Sequence, residues 1–402
     1  MHFSYYAKKI SGEEMKGVLE AKDKYDLARV LRQQGLVLVS CKEEGEKKSS
    51  FHLPSIFGRI PVTEKMFFSR NLSVMISAGV SVSRGLEILG RQTKNKKFKK
   101  IIEDLVESIK KGTSMSESMK QFPDVFTPIF IAMVKVGEES GRLSDSLGLV
   151  SDQMERDHNL IKKIRGALMY PSIIVIAMIL IGILMLIYVV PTLVSTFQEL
   201  GAELPLSTKI IIAISNFLSQ NTLAFFGIVL AVVAGAVLFF RSPGGKKLVG
   251  NVLLRLPIFS ELTKKVNSAR TARTMASLIS AGVDVLESLN ITREVIQNEN
   301  FKKVLEEARG SIQKGEPVSE SFKRADNLYP ILVGEMMAVG EETGKFSDML
   351  MRVAVFYEDE VTETTKDMST IIEPILMVII GAVVGFFALS MIKPMYSMVD
   401  AI

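Results

Sequence analysis

Three uninterrupted apolar blocks divide the chain. They occupy residues 170–191, 222–240 and 373–393, and their only ionisable acidic or basic side chains are Glu373 and Lys393, at the two ends of the third block. Each block is close to the ~20 residues that a helix needs to cross a bilayer. A core helix of a soluble protein usually keeps a polar face, and these blocks have none. The pattern therefore predicts three transmembrane helices.

The segments before the first and third blocks repeat each other. Residues 136–141 read Val-Gly-Glu-Glu-Ser-Gly, and residues 339–344 read Val-Gly-Glu-Glu-Thr-Gly, 203 positions later. The same offset carries Ser-Ala-Gly-Val at 77–80 onto 280–283. One register holding across a whole module indicates a tandem duplication, in which each unit is one module followed by one apolar segment.

Apolar stripes at helical spacing fill each module between its glycines and prolines. Phe68, Leu72 and Ile76 make one such stripe, which ends at Gly79. Gly112 is placed to end a later helix. The pattern predicts six helices in residues 63–169, the same six in residues 266–372, and a connector at 241–265.

The first 42 residues have a different pattern. Short apolar runs flank one helical segment that stops at Gly35, which predicts two strands, a helix and a third strand. Residues 43–62 begin with a charged stretch that has no periodicity and are predicted to be a linker. The predicted fold is thus a mainly α membrane protein with a small N-terminal ββαβ domain, two repeated six-helix bundles and three transmembrane helices.

Basic residues predict the orientation in the membrane. Arg and Lys side chains lie just before the first block and just after the second, whereas the loop at 192–221 contains Lys209 alone. Cytoplasmic loops are the ones enriched in Lys and Arg. We therefore expect the N-terminus and both modules to be cytoplasmic, with the 192–221 loop and the short tail at 394–402 on the far side.

Composition and motifs exclude several classes of function. The net charge is +5, but the basic residues are mixed with acids or lie beside the spans, so no nucleic-acid partner is expected. A single cysteine, Cys41, excludes an internal disulfide. The three histidines are scattered, and no phosphate-binding loop or serine nucleophile motif is present. The sequence therefore predicts no enzyme activity, cofactor or metal.

The paired glutamates of the repeated motif are the tempting acid–base candidates. Adjacent carboxylates diverge on a helix, which disfavours a catalytic pair. We interpret the flanking glycines as a tight corner between two helices, with a glutamate near the N-terminus of the next helix, where its dipole stabilises negative charge. A partner-docking role is compatible with this. The residues concerned are Gly137, Glu138, Glu139, Gly141, Gly340, Glu341, Glu342 and Gly344.

The third apolar block contains a second group of candidates. Glu373 precedes Pro374 at its cytoplasmic end, and it is either a functional carboxylate or one that reaches the membrane surface. Gly381 and Gly385 have the spacing of small residues that lets membrane helices approach closely. That spacing serves either packing within one subunit or assembly of several.

Taken together, these features resemble one family, the inner-membrane platform proteins of type II secretion and type IV pilus machines. The resemblance extends to Tyr-Pro at 170–171, Gly-Ala-Glu-Leu-Pro at 201–205, Pro-Ile-Phe at 257–259 and the N-terminal pattern. It implies a bacterial inner-membrane assembly scaffold that couples a cytoplasmic ATPase to extraction and polymerisation of pilin or pseudopilin subunits. The implied partners are that ATPase, the pilins, other inner-membrane assembly proteins, membrane lipid and further copies of the chain.

The resemblance also implies a divalent-cation site on the last helix of the first bundle. Asp152 matches one ligand, but Gly148 stands four residues earlier, so we do not expect a metal there. The alternative function is a small membrane transporter or channel component. Its weakness is that spans without central charged residues offer little to line a polar path.

Overall fold

The computed structural model describes residues 2–9, 14–21, 24–33, 35–43, 60–199 and 206–399. The chain divides into two compact units, Met1–Arg59 and Ile60–Ile402. Most of the predicted linker, at 44–59, and the end of the predicted tail, at 400–402, lie outside the described residues.

The N-terminal unit contains strands β1 (His2–Lys9), β2 (Glu14–Glu20) and β3 (Leu36–Glu43), with helix α1 (Lys24–Gln33) between β2 and β3. The antiparallel sheet has the order β2-β1-β3. Its core is small: Ala7 from β1 packs with Leu27 and Leu31 from α1 and with Leu36. Helical spacing of those leucines is what places one face of α1 on the sheet.

Six helices build the first module, as the glycine and proline pattern predicts. They are α2 (Val62–Ser77), α3 (Val82–Gln92), α4 (Lys96–Lys110), α5 (Met115–Lys120), α6 (Pro128–Glu139) and α7 (Leu143–Leu184). A π-helix, Met185–Val189, and α8 (Val190–Glu199) continue α7 without a break. The α9 (Leu206–Gln220), α10 (Thr222–Arg241) and α11 (Pro243–Arg255) helices follow.

The second module repeats the arrangement. Its helices are α12 (Pro257–Ser280), α13 (Val285–Val295), α14 (Glu299–Gln313), α15 (Val318–Arg324), α16 (Ile331–Thr343) and α17 (Phe346–Val399). The expected boundaries at 169/170 and 372/373 are not structural breaks, because α7 and α17 run through them as single helices. The apolar pattern marks a change of surroundings at these positions, and a helix does not need to end where its surroundings change.

The repeated glycines make repeated helix ends. Gly79 and Gly282 have φ values of +85° and +101°, a region that side chains rarely tolerate. At the first, the Gly79 N–H donates to the Ile76 carbonyl at 2.9 Å and the Val80 N–H to Met75 at 3.0 Å. This is the Schellman pattern that pairs the last carbonyls of a helix. Gly112 and Gly315 do the same, so the turns of both modules share one origin.

The two cores are equivalent in position but not in chemistry. In the first module the rings of Phe68 and Phe126 pack with centroids 6.1 Å apart. The residues 203 positions later are Thr271 and Tyr329, whose hydroxyls share a hydrogen bond at 2.9 Å. Burial raises the pKa of Tyr329, so its hydroxyl stays protonated. An apolar pair in one copy has become a polar pair in the other.

A proline and a hydroxyl from another helix accompany the π-helix. Pro191 has no N–H, so the turn before it lacks one of its donors. The Ser215 hydroxyl of α9 donates instead to the Leu186 carbonyl at 2.5 Å. Thr208 likewise donates to the Ser390 carbonyl of α17 at 2.5 Å. The described residues of the 192–221 segment are helical apart from Asn221, and hydroxyls tie α9 to α17 and to the π-helix.

The apolar blocks are exposed along most of their length. Leu230 in α10 and Val378 in α17 are 71% and 72% exposed. Two helical stretches, Leu143–Thr196 and Phe346–Ile392, are long and apolar enough to cross a membrane. Gly227–Phe240 within α10 is a shorter apolar helix. Asn221 separates α9 from α10, so α9 is not an extension of the second apolar block.

Tyr329→Phe should lower the free energy of unfolding by about 1–2 kcal/mol, because it leaves the buried Thr271 hydroxyl without a partner. Thr271→Val in the same chain removes that unpaired hydroxyl, so the double variant should recover part of the loss. The check is the thermal unfolding midpoint of the detergent-solubilised protein. A double variant whose loss equals the sum of the two single losses would contradict this account.

Candidate functional site

The first glutamate of each repeated pair binds a short helix earlier in the chain. The Glu138 carboxylate, on α6, accepts hydrogen bonds from the backbone N–H groups of Met115 and Ser116 at the start of α5, the latter at 2.9 Å. Backbone N–H groups in the first turn of a helix have no partner within the helix. Glu138 supplies that partner from a distant part of the sequence.

The second module repeats this contact, and its short helix has no other side-chain cap among the described residues. Glu341 accepts from the backbone N–H groups of Val318 at 2.6 Å and Ser319 at 3.3 Å, and from the Ser319 hydroxyl at 2.5 Å. In the first module the Ser114 side chain also caps α5, accepting from the Glu117 N–H at 3.2 Å. Pro317 takes the place of Ser114 and has no side chain that can cap. Glu341 therefore caps α15 alone.

These contacts correct one part of the sequence interpretation. A glutamate was expected to stabilise the N-terminus of the next helix, α7 or α17. Instead, the carboxylate reaches back to the short helix before its own, 22 or 23 residues upstream. Sequence spacing did not reveal this, because the two groups meet only when α5 folds against α6.

The second glutamate of each pair lies on the surface. Glu139 is exposed and lies 3.8 Å from the Lys135 ammonium, a pair of exposed side chains. Glu342 is also exposed. The two carboxylates of a pair thus face different surroundings: one is held by backbone N–H groups and the other is solvated. Neither pair has the shared geometry of an acid and a base acting on one substrate.

The glycines of the motif have two separate roles. Gly141 and Gly344 have φ values of +70° and +67° and reverse the chain after α6 and α16. Gly137 and Gly340 lie inside the helices and are buried. A Cβ atom on Gly340 would lie 2.9 Å from the Phe346 Cα, too close to backbone for a side-chain rotation to relieve. The predicted tight corner is therefore present, and it brings α16 against α17.

A seam of charges that the sequence reading missed lies where α7, α12 and α17 meet. Arg273 makes two hydrogen bonds of 2.7 Å with the Glu358 carboxylate, and both side chains are largely buried. Arg270 pairs with Asp157 at 2.8 Å, which joins the second module to the first. The two parallel hydrogen bonds between Arg273 and Glu358 fix orientation as well as distance. Helical spacing indicates which face of its helix each charged residue occupies, but it does not indicate which helices pack together.

Lys265 belongs to the same seam. Its ammonium lies 2.7 Å from the Glu261 carboxylate and 2.8 Å from that of Glu360. Burial lowers the pKa of Lys265, but the two carboxylates outweigh it and the net pKa is raised. The lysine therefore stays charged at physiological pH and ties α12 to α17.

The remaining sequence candidates are scattered. Asp152 is exposed on α7, and the described part of the chain holds no group of three or more His, Cys, Asp or Glu side chains arranged for a metal. Glu373 and Pro374 are exposed on α17. Added Cβ atoms on Gly381 and Gly385 would meet nothing within 4 Å. The motif glutamates and the α17 candidates are thus separate surfaces rather than one site.

Residues 68–191 and 271–394 each match the family described as type II secretion system (T2SS), protein F. Residues 1–42 match the N-terminal domain of type II secretion system protein F. The same family domain occurs twice, which confirms the tandem duplication.

Curated relatives cover the whole chain. It is 31% identical over 401 residues to the type IV pilus assembly protein PilC of Thermus thermophilus, spanning 100% of this chain and 98% of the relative. It is 31% identical over 400 residues to the PilC protein of Myxococcus xanthus, covering 100% and 95%. It is 28% identical over 402 residues to the type II secretion system protein F of Pseudomonas aeruginosa, covering 98% of each chain.

Glu341→Ala should lower the free energy of unfolding by about 1–2 kcal/mol, as expected for loss of a helix cap. Glu342→Ala is the matched control and should change it by less than about 0.5 kcal/mol, because that side chain is exposed. Hydrogen exchange of the α15 amides, together with the thermal midpoint, measures both. Equal effects of the two variants would show that Glu341 does not cap α15.

Proposed function

The chain belongs to the type II secretion system protein F family, and on that premise we propose that it is the inner-membrane platform of a pilus or secretion machine. The observation that carries this proposal is the full-length match to relatives named for type IV pilus assembly and for type II secretion. In this role the protein is a scaffold, on which pilin or pseudopilin subunits leave the bilayer and polymerise.

Continuous helices support a mechanical role. The α7 helix has 42 residues, which at about 1.5 Å per residue is about 60 Å of uninterrupted helix from module to apolar block. The α17 helix has 54 residues and is built the same way. A movement imposed on the cytoplasmic end of such a helix is transmitted to its membrane end. We propose that a cytoplasmic ATPase acts on the modules and that these helices carry the displacement.

We propose three spans. The first and third are the apolar parts of α7 and α17, and the second is α10, whose 20 residues match the thickness of a bilayer. Both modules then lie on one side of the membrane, because α7 and α17 enter it from the same side. The positively charged residues before the first block and after the second support the cytoplasm as that side. The α9 helix and the end of α8 lie on the far side.

The exposed face of α17 is the proposed pilin contact. Glu373 and Pro374 lie at its cytoplasmic edge, and Gly381 and Gly385 follow on the same helix with open space over their Cα atoms. Small residues let an incoming helix approach closely in lipid. A carboxylate at the edge of the membrane can pair with a cationic group such as the terminal amine of a pilin.

The topology has a direct test. In a Cys41→Ser background, Lys209→Cys should react with a membrane-impermeant maleimide in intact spheroplasts, because the α9 helix lies outside. Gly244→Cys, in the connector, should react only after permeabilisation. Lys209 and Gly244 are both exposed, so burial of one position would not explain a difference in labelling between the two cysteines. Equal labelling of the two positions in intact spheroplasts would contradict three spans.

Glu373→Gln should abolish most fibre assembly while leaving the amount of protein in the membrane unchanged, because it removes a charge and keeps the shape. Asp367→Asn, another exposed carboxylate on α17, is the matched control and should assemble fibres normally. Fibres are counted by microscopy after shearing. Normal fibres from Glu373→Gln would remove that residue from the mechanism.

Purification from native membranes in mild detergent tests the platform role itself. Mass spectrometry should find a secretion or pilus ATPase and a pilin or pseudopilin with the protein. Their identity would decide between pilus assembly and secretion. Absence of both, under conditions that preserve other membrane complexes, would contradict the platform role, and solute flux in proteoliposomes would then point to a transporter.

A further inference from the structure

The two modules of one chain meet through an unequal interface. Helices α6 and α7 of the first module face α12 and the start of α13 of the second. Val136 lies over the turn at Gly282, where an added Cβ would be 3.6 Å from its side chain. The Gln153 side chain accepts from the Ser277 hydroxyl at 3.1 Å. Leu278, from the second module, is buried within the core cluster of the first.

The duplicated sequence carries the counterpart of each half of this interface. The offset of 203 residues places Val339 and Phe356 at the positions of Val136 and Gln153, and Val74 and Gly79 at those of Ser277 and Gly282. These counterparts do not meet within the chain. Val339 is 44% exposed, Phe356 46% and Val74 61%. The chain thus uses one pair of surfaces and leaves the second pair uncovered.

The uncovered face of α2 is apolar at positions whose counterparts in the second module are polar. Between residues 60 and 160, the exposed large apolar side chains are Val62, Phe67 and Val74, all on α2. Their counterparts are Lys265, Arg270 and Ser277, which make polar contacts in the chain. Arg270 and Ser277 contact the first module, whereas Lys265 pairs with α17 of its own module.

The second module shows the same change on the opposite half. Between residues 266 and 360, the exposed large apolar side chains are Ile331, Leu332, Val339, Val355 and Phe356, on α16 and α17. The hydrogen-bonded pair Gln153 and Ser277 corresponds to Phe356 and Val74, both apolar. Each surface therefore matches the chemistry of the other, as two faces of one contact do. Exposed apolar patches of this kind mark interaction sites.

The direction of the helices allows the contact to repeat in a membrane. Leu160 of α7 packs with Val361 of α17, and farther along, Val190 packs with Met391. The two long helices therefore run side by side in the same direction. The rotation and translation that superpose the first module on the second keep the same end of the module toward the apolar blocks. The same movement, applied once more, places a second chain in the same orientation in the same bilayer.

We propose that a second copy of this chain covers these surfaces, with the α16–α17 face of one chain on the α2 face and Gly79 turn of the next. The copies assemble head to tail, repeating between chains the contact that joins the modules within a chain. A heterologous contact of this kind closes into a ring when its rotation allows. Because each face finds its complement on the same polypeptide, a second copy fits better than an unrelated partner.

The test is cross-linking of full-length protein in membranes, in a Cys41→Ser background, with a short bis-maleimide. A Val74→Cys chain and a Phe356→Cys chain, each carrying a different tag, are expressed alone and together. Cross-linked dimers should form in the mixture and contain both tags, and neither chain alone should form them. A two-fold symmetric contact would instead link Val74→Cys to Val74→Cys, or Phe356→Cys to Phe356→Cys, when each chain is expressed alone.

Gln153→Cys with Ser277→Cys in one chain is the positive control, because those side chains already touch. Leu248→Cys, an exposed apolar position on α11, is the control for random collision. Absence of mixed dimers while the positive control reacts would overturn the proposal. Reaction of Val74→Cys with a different protein, or with the N-terminal unit of its own chain, would also overturn it.

Phe356→Glu provides a second measurement. It places a charge on the proposed contact at a half-exposed position, so the fold of the module should survive. In mild detergent the mass of the particle should fall to that of one chain, whereas the control Leu248→Glu should keep the mass of the wild type. An unchanged mass for Phe356→Glu would contradict the proposal. Neither experiment measures fibre assembly, so a negative result in either would contradict this contact without contradicting the platform role.

Discussion

Each module depends on one carboxylate that caps a helix from a distance. The short helices α5 and α15 have six and seven residues, too few to be stable alone. Glu138 and Glu341 satisfy their first N–H groups and thereby fix each short helix against the helix that carries the glutamate. The following glycine turn then directs α7 or α17 out of the module. The course of the two long helices thus depends on this distant cap and on the glycine turn that follows it.

Duplication gave the protein two such modules, and their differences are as informative as their likeness. The Phe68–Phe126 contact and the Thr271–Tyr329 hydrogen bond occupy the same place and join equivalent segments by different means. Gln153 and Phe356 show the same kind of divergence on the surface. A core position must fill space and pair its polar atoms, whereas a surface position must match whatever covers it.

The charged seam gives the two modules a fixed relation. Asp157 joins α7 to Arg270 on α12, and Arg273 joins α12 to Glu358 on α17. Because breaking a buried pair leaves an uncompensated charge, the Arg273–Glu358 contact resists rearrangement. Two long helices held side by side in this way move together. That property suits the proposed platform role.

The sequence by itself determined the duplication, the helices and their ends, because periodicity and glycine chemistry act over a few residues. Gly79 and Gly141 end their helices where the sequence predicts, since only glycine takes those φ values readily. The role of Glu138 was beyond the sequence, because its partner lies 23 residues away and meets it only after packing. The pairing of Arg270 with Asp157, and the exposure of Val74 and Phe356, depend on how two modules pack. Such contacts join residues far apart in the chain, and only the tertiary structure decides them.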